Sequence, residues 1–290
     1  MKTLREYIQE ADEQGTAICH FNVSNLEALH GIYVAAKKLN LPIIIGVSEG
    51  EEAFIGKEEI VALVRAIKER DKYPIFLNAD HHYSFETVKG AIDAGFDAVV
   101  IDAVKLPIEE NIALTKKCVD YAREFSKKYN KDVLVEAELG FIGQSSKIID
   151  QIPDGVSEDT MTTPEDARRF VEATGVDLLA PSIGNVHGMV KSGNPRLHPE
   201  RVKAIREAVG IPLVLHGGSG SMDEDFLECI KTGIDIVHIN TEIRIAFTEA
   251  LRKSLADNPE EITPYKYLSN TVTAVAQVVE SRLKLFNGIK

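Results

Sequence analysis

The stretch 94-AGFDAVVIDA-103 has near copies at 174-TGVDLLAPSIG-184 and 232-TGIDIVHIN-240. In each, Gly-x-Asp leads into an apolar run, and each follows a stretch of amphipathic helical spacing. Glycine suits the left-handed turn that ends a helix, so the pattern reads as helix, tight turn, buried strand. A second pattern places proline just before an apolar run: Pro42 in LPIIIGVS, Pro74 in YPIFLNAD and Pro212 in IPLVLHGG. Proline is tolerated at the start of a strand, where its missing N–H is not needed.

With AICHFN and VLVEAELG, these make eight short apolar runs. The predicted strands are 17–22, 42–48, 75–80, 98–103, 133–139, 178–183, 212–217 and 235–240. Helical spacing fills the gaps. In TTPEDARRFVEATG, Thr163 caps, Pro164 opens and Gly175 closes a helix, and Pro199 and Gly210 frame another in the same way. Near-continuous apolar strands alternating with helices mean a parallel sheet covered on both faces. Eight units in about 250 residues match an α/β chain closed as a (β/α)8 TIM barrel, with an open doubly wound sheet as the alternative. The chain, residues 1–290, reads as one barrel domain with a helical extension from about 255 to 290. Within that extension, TVTAVAQVVESRLKLF at 271–286 carries an apolar helical stripe suited to capping the barrel or joining subunits.

Composition narrows the partners. The formal net charge is -12, with acids and bases mixed along the chain and no basic block, which argues against nucleic acid. An anionic substrate then needs a local positive site. Cys19, Cys118 and Cys229 show no metal or redox spacing and suggest reduced thiols. The first residues, MKTLREYIQEADEQG, read as a charged amphipathic helix with Leu4, Tyr7 and Ile8 on one side, not as a signal peptide. No apolar run approaches the ~20 residues needed to cross a bilayer. The expectation is a cytoplasmic protein without a membrane partner.

In such barrels chemistry sits at the C-terminal strand ends. Those ends supply Asn22; Ser48; Asp80, His81 and His82; Asp102; Glu136 and Glu138; Asn185 and His187; His216; and His238, Asn240 and Thr241. Five of the eight histidines lie there, the exceptions being His20, His30 and His198. One histidine at a strand end is ordinarily just hydrogen-bonded. Together, His81, His187 and His216 can converge on one mouth as a three-nitrogen Zn²⁺ site with an open position. His82 reads as a supporting or packing residue, and Asp102 and Glu138 as supporting carboxylates, paired acids or helix caps. Asn22 and Ser48 can simply close turns. The glycine-rich 216-HGGSG-220 (with Gly217, Gly218 and Ser219) and 240-NTE-242 follow the last two strands, where barrels often bind phosphate. Lys191 can add charge from the neighbouring loop or be a solvated lysine.

In order along the chain, FNVSNLEAL, GVSEG, NADHH, VEAELG, NVHG and PLVLHGGSGS resemble the class II, zinc-dependent ketose-bisphosphate aldolases, which include the fructose- and tagatose-1,6-bisphosphate enzymes. The resemblance spans about residues 15 to 250. It implies zinc on His81, His187 and His216, with Glu138 as an alternate or supporting ligand and Asp102 close by. It implies Asp80 as the acid/base for the C4 hydroxyl. Gly188, Ser219, Asn240 and Thr241 would take the dihydroxyacetone phosphate end, with Lys191 nearby, and Asn22 and Ser48 would face the aldehyde end. A monovalent cation (Na⁺ or K⁺) near the phosphate and a homodimer or homotetramer are also implied. The chemistry agrees: breaking C3–C4 leaves negative charge on the ketone half, which a Lewis acid stabilises, while a carboxylate takes the hydroxyl proton. A Schiff-base mechanism needs a strand-end lysine, yet Lys105 and Lys191 both lie off the strands.

The chain departs from the family in three places, one of them Asn185-Val186, where small residues are common. Gln144, Ser145 and Ser146 stand where a second glycine and acids are expected, so the family's loop glutamate is missing; Asp150, Asp154, Glu158 and Asp159 are the available substitutes. His238 stands where the family usually has asparagine, and Asn240 where it has Asp or Ala; the imidazole can still hydrogen-bond substrate. Two other functions remain: a zinc hydrolase of the amidohydrolase type, which wants His-x-His after strand one, and a sugar-phosphate sensor without turnover.

Overall fold

Proline and glycine set the strand boundaries. Strands open at Ile43, Ile75 and Leu213, directly after Pro42, Pro74 and Pro212, and helices close on Gly95 and Gly175, both left-handed. The computed structural model describes residues 2–143 and 146–289. Ten strands run in chain order: β1 Ile18–Asn22, β2 Ile43–Ser48, β3 Ile75–His82, β4 Ala98–Ile101, β5 Leu134–Leu139, β6 Ile148–Ile149, β7 Leu178–Pro181, β8 Met189–Val190, β9 Leu213–Leu215 and β10 Ile234–Ile239. Eight close into a parallel barrel in the order β1-β10-β9-β7-β5-β4-β3-β2. The fold is a TIM barrel, and all eight expected strands are its staves. The two-residue strands β6 and β8 pair outside it and were not expected.

The outer helices are α1 Leu4–Gln14, α2 Leu26–Leu39, α3 Glu49–Ile55, α4 Lys57–Asp71, α5 Phe85–Ala94, α6 Ile108–Tyr129, α7 Pro164–Thr174, α8 Pro199–Val209, α9 Asp223–Thr232, α10 Thr241–Asp257, α11 Pro264–Tyr267 and α12 Ser269–Phe286. Odd-numbered strand residues such as Cys19, Ile45, Leu77, Val99 and Val237 face these helices in the main core. Even-numbered ones face the barrel axis. The floor of the barrel is apolar: Ile18, Ile44, Phe76, Ala98, Leu134, Leu178, Val214 and Ile236, closed from below by Leu4, Ile8 and Ala11 of α1. The amphipathic first helix is thus a plug. The apolar stripe of α12 turns inward: Val275, Val279 and Leu283 are buried, and Gly31 of α2 lies so close that an added Cβ would sit 2.7 Å from the Val272 carbonyl oxygen.

The Gly-x-Asp repeats have a common structural use. Asp97 accepts the Leu77 N–H, Asp177 the Val135 N–H and Asp235 the Leu213 N–H, each at 2.9 Å. Each therefore staples the start of its own strand to the strand beside it. Each also meets a cation from the helix preceding that neighbouring strand: Lys68 at 3.6 Å, Arg123 at 2.9 Å and Arg206 at 2.9 Å. Arg5 of α1 joins Asp177 at 2.9 Å, tying the plug to the floor.

Candidate active site

Above the floor the inward residues turn polar: His20, Asn78, Glu136, His216 and His238, then Asn22, Asp80, Asp102 and Glu138, all buried. Parity along β3 predicts that Asp80 and His82 face inward and His81 outward. A bulge between Ala79 and His82 breaks this alternation. His81 adopts φ 50°, a left-handed conformation unusual for a residue with a side chain and costing about 1–3 kcal/mol. The bulge swings His81 into the mouth beside Asp80. His82 goes the other way, fully buried, with Nε2 3.6 Å from Glu52 of α3.

His81, Glu138, His187 and His216 each offer one ligand atom, and these atoms lie within 4.8 Å of one another. His81 Nε2 lies 3.3 Å from His216 Nδ1, and Glu138 Oε1 lies 3.0 Å from that Nδ1. Carboxylates hold the opposite ring nitrogens, Asp102 on His81 Nδ1 at 3.2 Å and Glu136 on His216 Nε2 at 2.5 Å. Such partners fix ring orientation and raise ligand basicity in metal sites. His187 comes from the loop after β7, its N–H bonded to the Ile142 carbonyl, and its Nε2 is buried without a partner. A buried polar atom left unpartnered is costly, and this one belongs to a residue of the donor cluster.

The electrostatics agree. Burial opposes charge on His81, but Asp80, Glu138 and Asp102 outweigh it and push the imidazole up to about 9. Burial likewise opposes charge on His216, where Glu138 and Glu136 prevail and raise it well above the usual range. The site's carboxylates thus ask for positive charge, which a divalent cation satisfies directly. Burial, then the neighbouring imidazoles, keeps His187 neutral, as a metal ligand must be. Two other clusters, His20–Asp80–His238 and Glu136–His216–His238, have donor atoms equally close. They do not suit a metal: His238 lies face to face with His20, 3.5 Å apart and 2° from parallel, and is stacked on His216 at 3.9 Å and 30°, so in neither cluster do the in-plane lone pairs of the two rings point at one another.

Burial works against the charge of Asp80, yet His81, His238 and His20 outweigh it and hold the carboxyl well below the usual range. Its Oδ2 accepts the Asn22 amide at 2.8 Å. The same amide reaches Glu51 Oε2 at 3.0 Å, and Arg244 bonds the other Glu51 oxygen at 2.6 Å. Ser48 caps α3 and shares Glu51 through its N–H and hydroxyl, so its turn-closing and mouth-lining readings both describe it. Glu51, Tyr83 and Arg244 are mouth residues that sequence reasoning missed. The capping spacing Ser48-x-x-Glu51 was the visible signal for the first, and it reads as ordinary helix chemistry.

One cavity joins Asp80, His81 and His187 to Gly188, Gly217, Gly218, Ser219, His238, Asn240 and Thr241. Gly217 has φ 63°, and an added Cβ would meet the Val186 carbonyl oxygen at 2.5 Å, so only glycine fits. Ser219 Oγ accepts the Asn240 and Glu242 N–H groups at 3.2 and 3.3 Å, setting the cradle against the N-terminus of α10, a favourable place for an anion. Lys191 stands apart, exposed and ion-paired with Asp150 at 2.6 Å. Asp150 is therefore engaged outside the cavity. Ser146 lines the mouth, while Gln144 and Ser145 lie outside the described residues.

Imidazoles backed by carboxylates suit a divalent cation, and a glycine-rich cradle at a helix N-terminus suits an anion, the layout of a metal-dependent barrel enzyme for a negatively charged substrate. The fructose-bisphosphate aldolase class-II family model matches residues 2–289. A fructose-bisphosphate aldolase of Staphylococcus aureus is 39% identical over 287 residues, covering 98% of this chain and 96% of that one. A probable fructose-bisphosphate aldolase of Bacillus subtilis is 38% identical, covering 99% and 97%. The crystal structure of the YdjI aldolase from Escherichia coli K12 superposes with a TM-score of 0.82 at 32% identity, covering 98% and 96%. The chain belongs to the class II fructose-bisphosphate aldolase family of metal-dependent lyases in carbohydrate metabolism, as its motifs led us to expect. Zinc is the family's metal, and the His81, His187, His216 and Glu138 donor set fits it. Among the described residues, no helix is long and apolar enough to cross a membrane.

Proposed function

We propose that the chain is a fructose-1,6-bisphosphate aldolase, reversibly forming dihydroxyacetone phosphate and glyceraldehyde 3-phosphate. The supporting observation is adjacency: Asp80 Oδ1 lies 3.7 Å from His81 Nε2, at the edge of the donor cluster. His81, His187 and His216 would hold the zinc, with Glu138 as alternate or supporting ligand, and the bound metal would supply Lewis-acid stabilisation of negative charge on the ketone half. Asp80, ionised at neutral pH, takes the C4 hydroxyl proton as the C3–C4 bond breaks, and the bond's electron pair stays with the ketone half. Gly188, Gly217, Gly218, Ser219, Asn240 and Thr241 receive the adjacent phosphate, with a monovalent cation, Na⁺ or K⁺, beside it. Asn22 and Ser48, with Arg244 behind Glu51, face the aldehyde end. The family resemblance and three buried free cysteines favour a cytoplasmic homodimer or homotetramer.

The test is zinc-supplemented cleavage of fructose, tagatose and sorbose 1,6-bisphosphates, reading release of dihydroxyacetone phosphate. Preference for the fructose substrate is expected; preference for another moves the assignment to that ketose. A second reading, a sugar-phosphate-binding protein without turnover, rests on the loop. Asp150 is tied to Lys191, and Ser146 is the described loop residue that lines the cavity. Stoichiometric zinc and tight ligand binding without cleavage of any of the three would establish it.

A further inference from the structure

From the donor cluster inward, three imidazoles stand abreast, on β1, on β10 and just after β9. His20 on β1 is in register with His238 on β10, and β9, next to β10, leads directly into His216. The rings form one stack: His20 on His238 at 3.5 Å and 2°, and His238 on His216 at 3.9 Å and 30°. Gly46 on β2 makes the room, since an added Cβ would sit 2.1 Å from His20 Cε1. A ring held on both faces cannot tilt without striking a neighbour. The stack therefore fixes the plane of the His238 ring, and in that plane Nδ1 lies 3.5 Å from Asp80 Oδ1 and Nε2 4.0 Å from Glu136 Oε2. Asp80 Oδ1 is buried without a hydrogen-bond partner, while Oδ2 takes Asn22. Closing to an ordinary hydrogen bond needs a shift of about half an ångström.

We propose that His238, clamped between His20 and His216, is a positioning residue for Asp80. Its Nδ1–H holds Oδ1 while Asn22 holds Oδ2, so the carboxylate keeps one orientation towards the reacting hydroxyl. Each oxygen retains a second lone pair for the proton. The inference rests on the reading of Asp80 as the acid/base.

Asparagine places its amide nitrogen where histidine carries Nδ1, whereas glutamine places it nearer Nε2. His238→Asn is expected to keep most of kcat. His238→Gln, which fills more of the space, is expected to lower kcat about 10- to 100-fold with KM and zinc content unchanged. A packing role predicts the reverse order, and finding it overturns the proposal. His20→Ala, which touches no substrate, is expected to lower kcat about tenfold, and His20→Phe, which keeps a flat face, to retain it. This pair carries the test if His238→Gln fails to fold, and equal kcat in both variants overturns the clamp. In an Asp80→Asn background, adding His238→Gln should cost nothing further; a full additional loss places His238's action elsewhere. Asp80→Asn turning over at the wild-type rate refutes the Asp80 reading itself. Asp80→Asn inactive with His238→Gln fully active refutes the positioning alone.

Discussion

The two ends of the barrel treat their carboxylates in opposite ways. At the floor, Asp97, Asp177 and Asp235 each accept a neighbouring strand's N–H and meet a cation. At the mouth, Asp80 Oδ1, Glu136 Oε2 and His187 Nε2 are buried without a hydrogen-bond partner, and Glu138 Oε1 meets only ring nitrogens of the candidate ligands, His216 at 3.0 Å and His81 at 3.1 Å. A buried polar atom left unpaired costs roughly 1–3 kcal/mol, so the chain bears at one end a strain that it avoids at the other. The floor's hydrogen-bonding capacity is consumed by the fold, and the mouth's is kept for metal, substrate and proton.

Substitutions at the two ends should therefore separate activity from stability. Asp80→Ala is expected to lower kcat about 10³-fold, with zinc content and melting temperature near wild type. Substantial unfolding would mean that Asp80 belongs with the floor carboxylates. Asp177→Ala is the mirror experiment, leaving the Val135 N–H and two guanidinium groups short of a partner. It should cost about 3 kcal/mol in urea unfolding while leaving kcat/KM within about twofold; a catalytic defect would erase the contrast.

A smaller effect sharpens the comparison through pH. Burial depresses the His20 imidazole to about 4, below its usual 6.5. The unfolded chain therefore binds a proton before the folded one does. His20's share of stability is fully present above pH 6.5 and disappears as pH falls from there through about 4. Zinc-free His20→Phe should lose up to about 3 kcal/mol less than wild type across that window, measured by urea melts at each pH. Parallel curves would show that His20 is hydrated in the fold. Smallest of all, Lys191→Ala should change KM less than about twofold, because its partner Asp150 is a solvated surface acid. A larger rise would return Lys191 to the phosphate site.

How much could be read from sequence follows the same division. Six of the eight barrel strands were legible from a local marker, the proline before Ile43, Ile75 and Leu213 or the Gly-x-Asp before Ala98, Leu178 and Ile236, and β1 and β5 from their apolar runs alone. His81, His187 and His216 were legible because strand ends are where such barrels expose chemistry. Relations between distant strands were not. Glu136 behind His216, Asp102 behind His81 and His20 against His238 depend on barrel register, which no local pattern states. Strands β6 and β8 have two residues each, too few for a period. His81 was expected in the mouth, but the bulge that turns it there was hidden, because it leaves the hydrophobic pattern of 75-IFLNAD-80 untouched.

That bulge has one more effect. A straight strand can offer a cavity only alternate side chains, about 7 Å apart along the chain. The kink at Asp80–His81 offers two successive ones, so a candidate proton acceptor and a candidate ligand are separated by a single peptide link. Their Cα atoms are held one peptide link apart by covalent geometry, so breathing of the barrel moves the two side chains together.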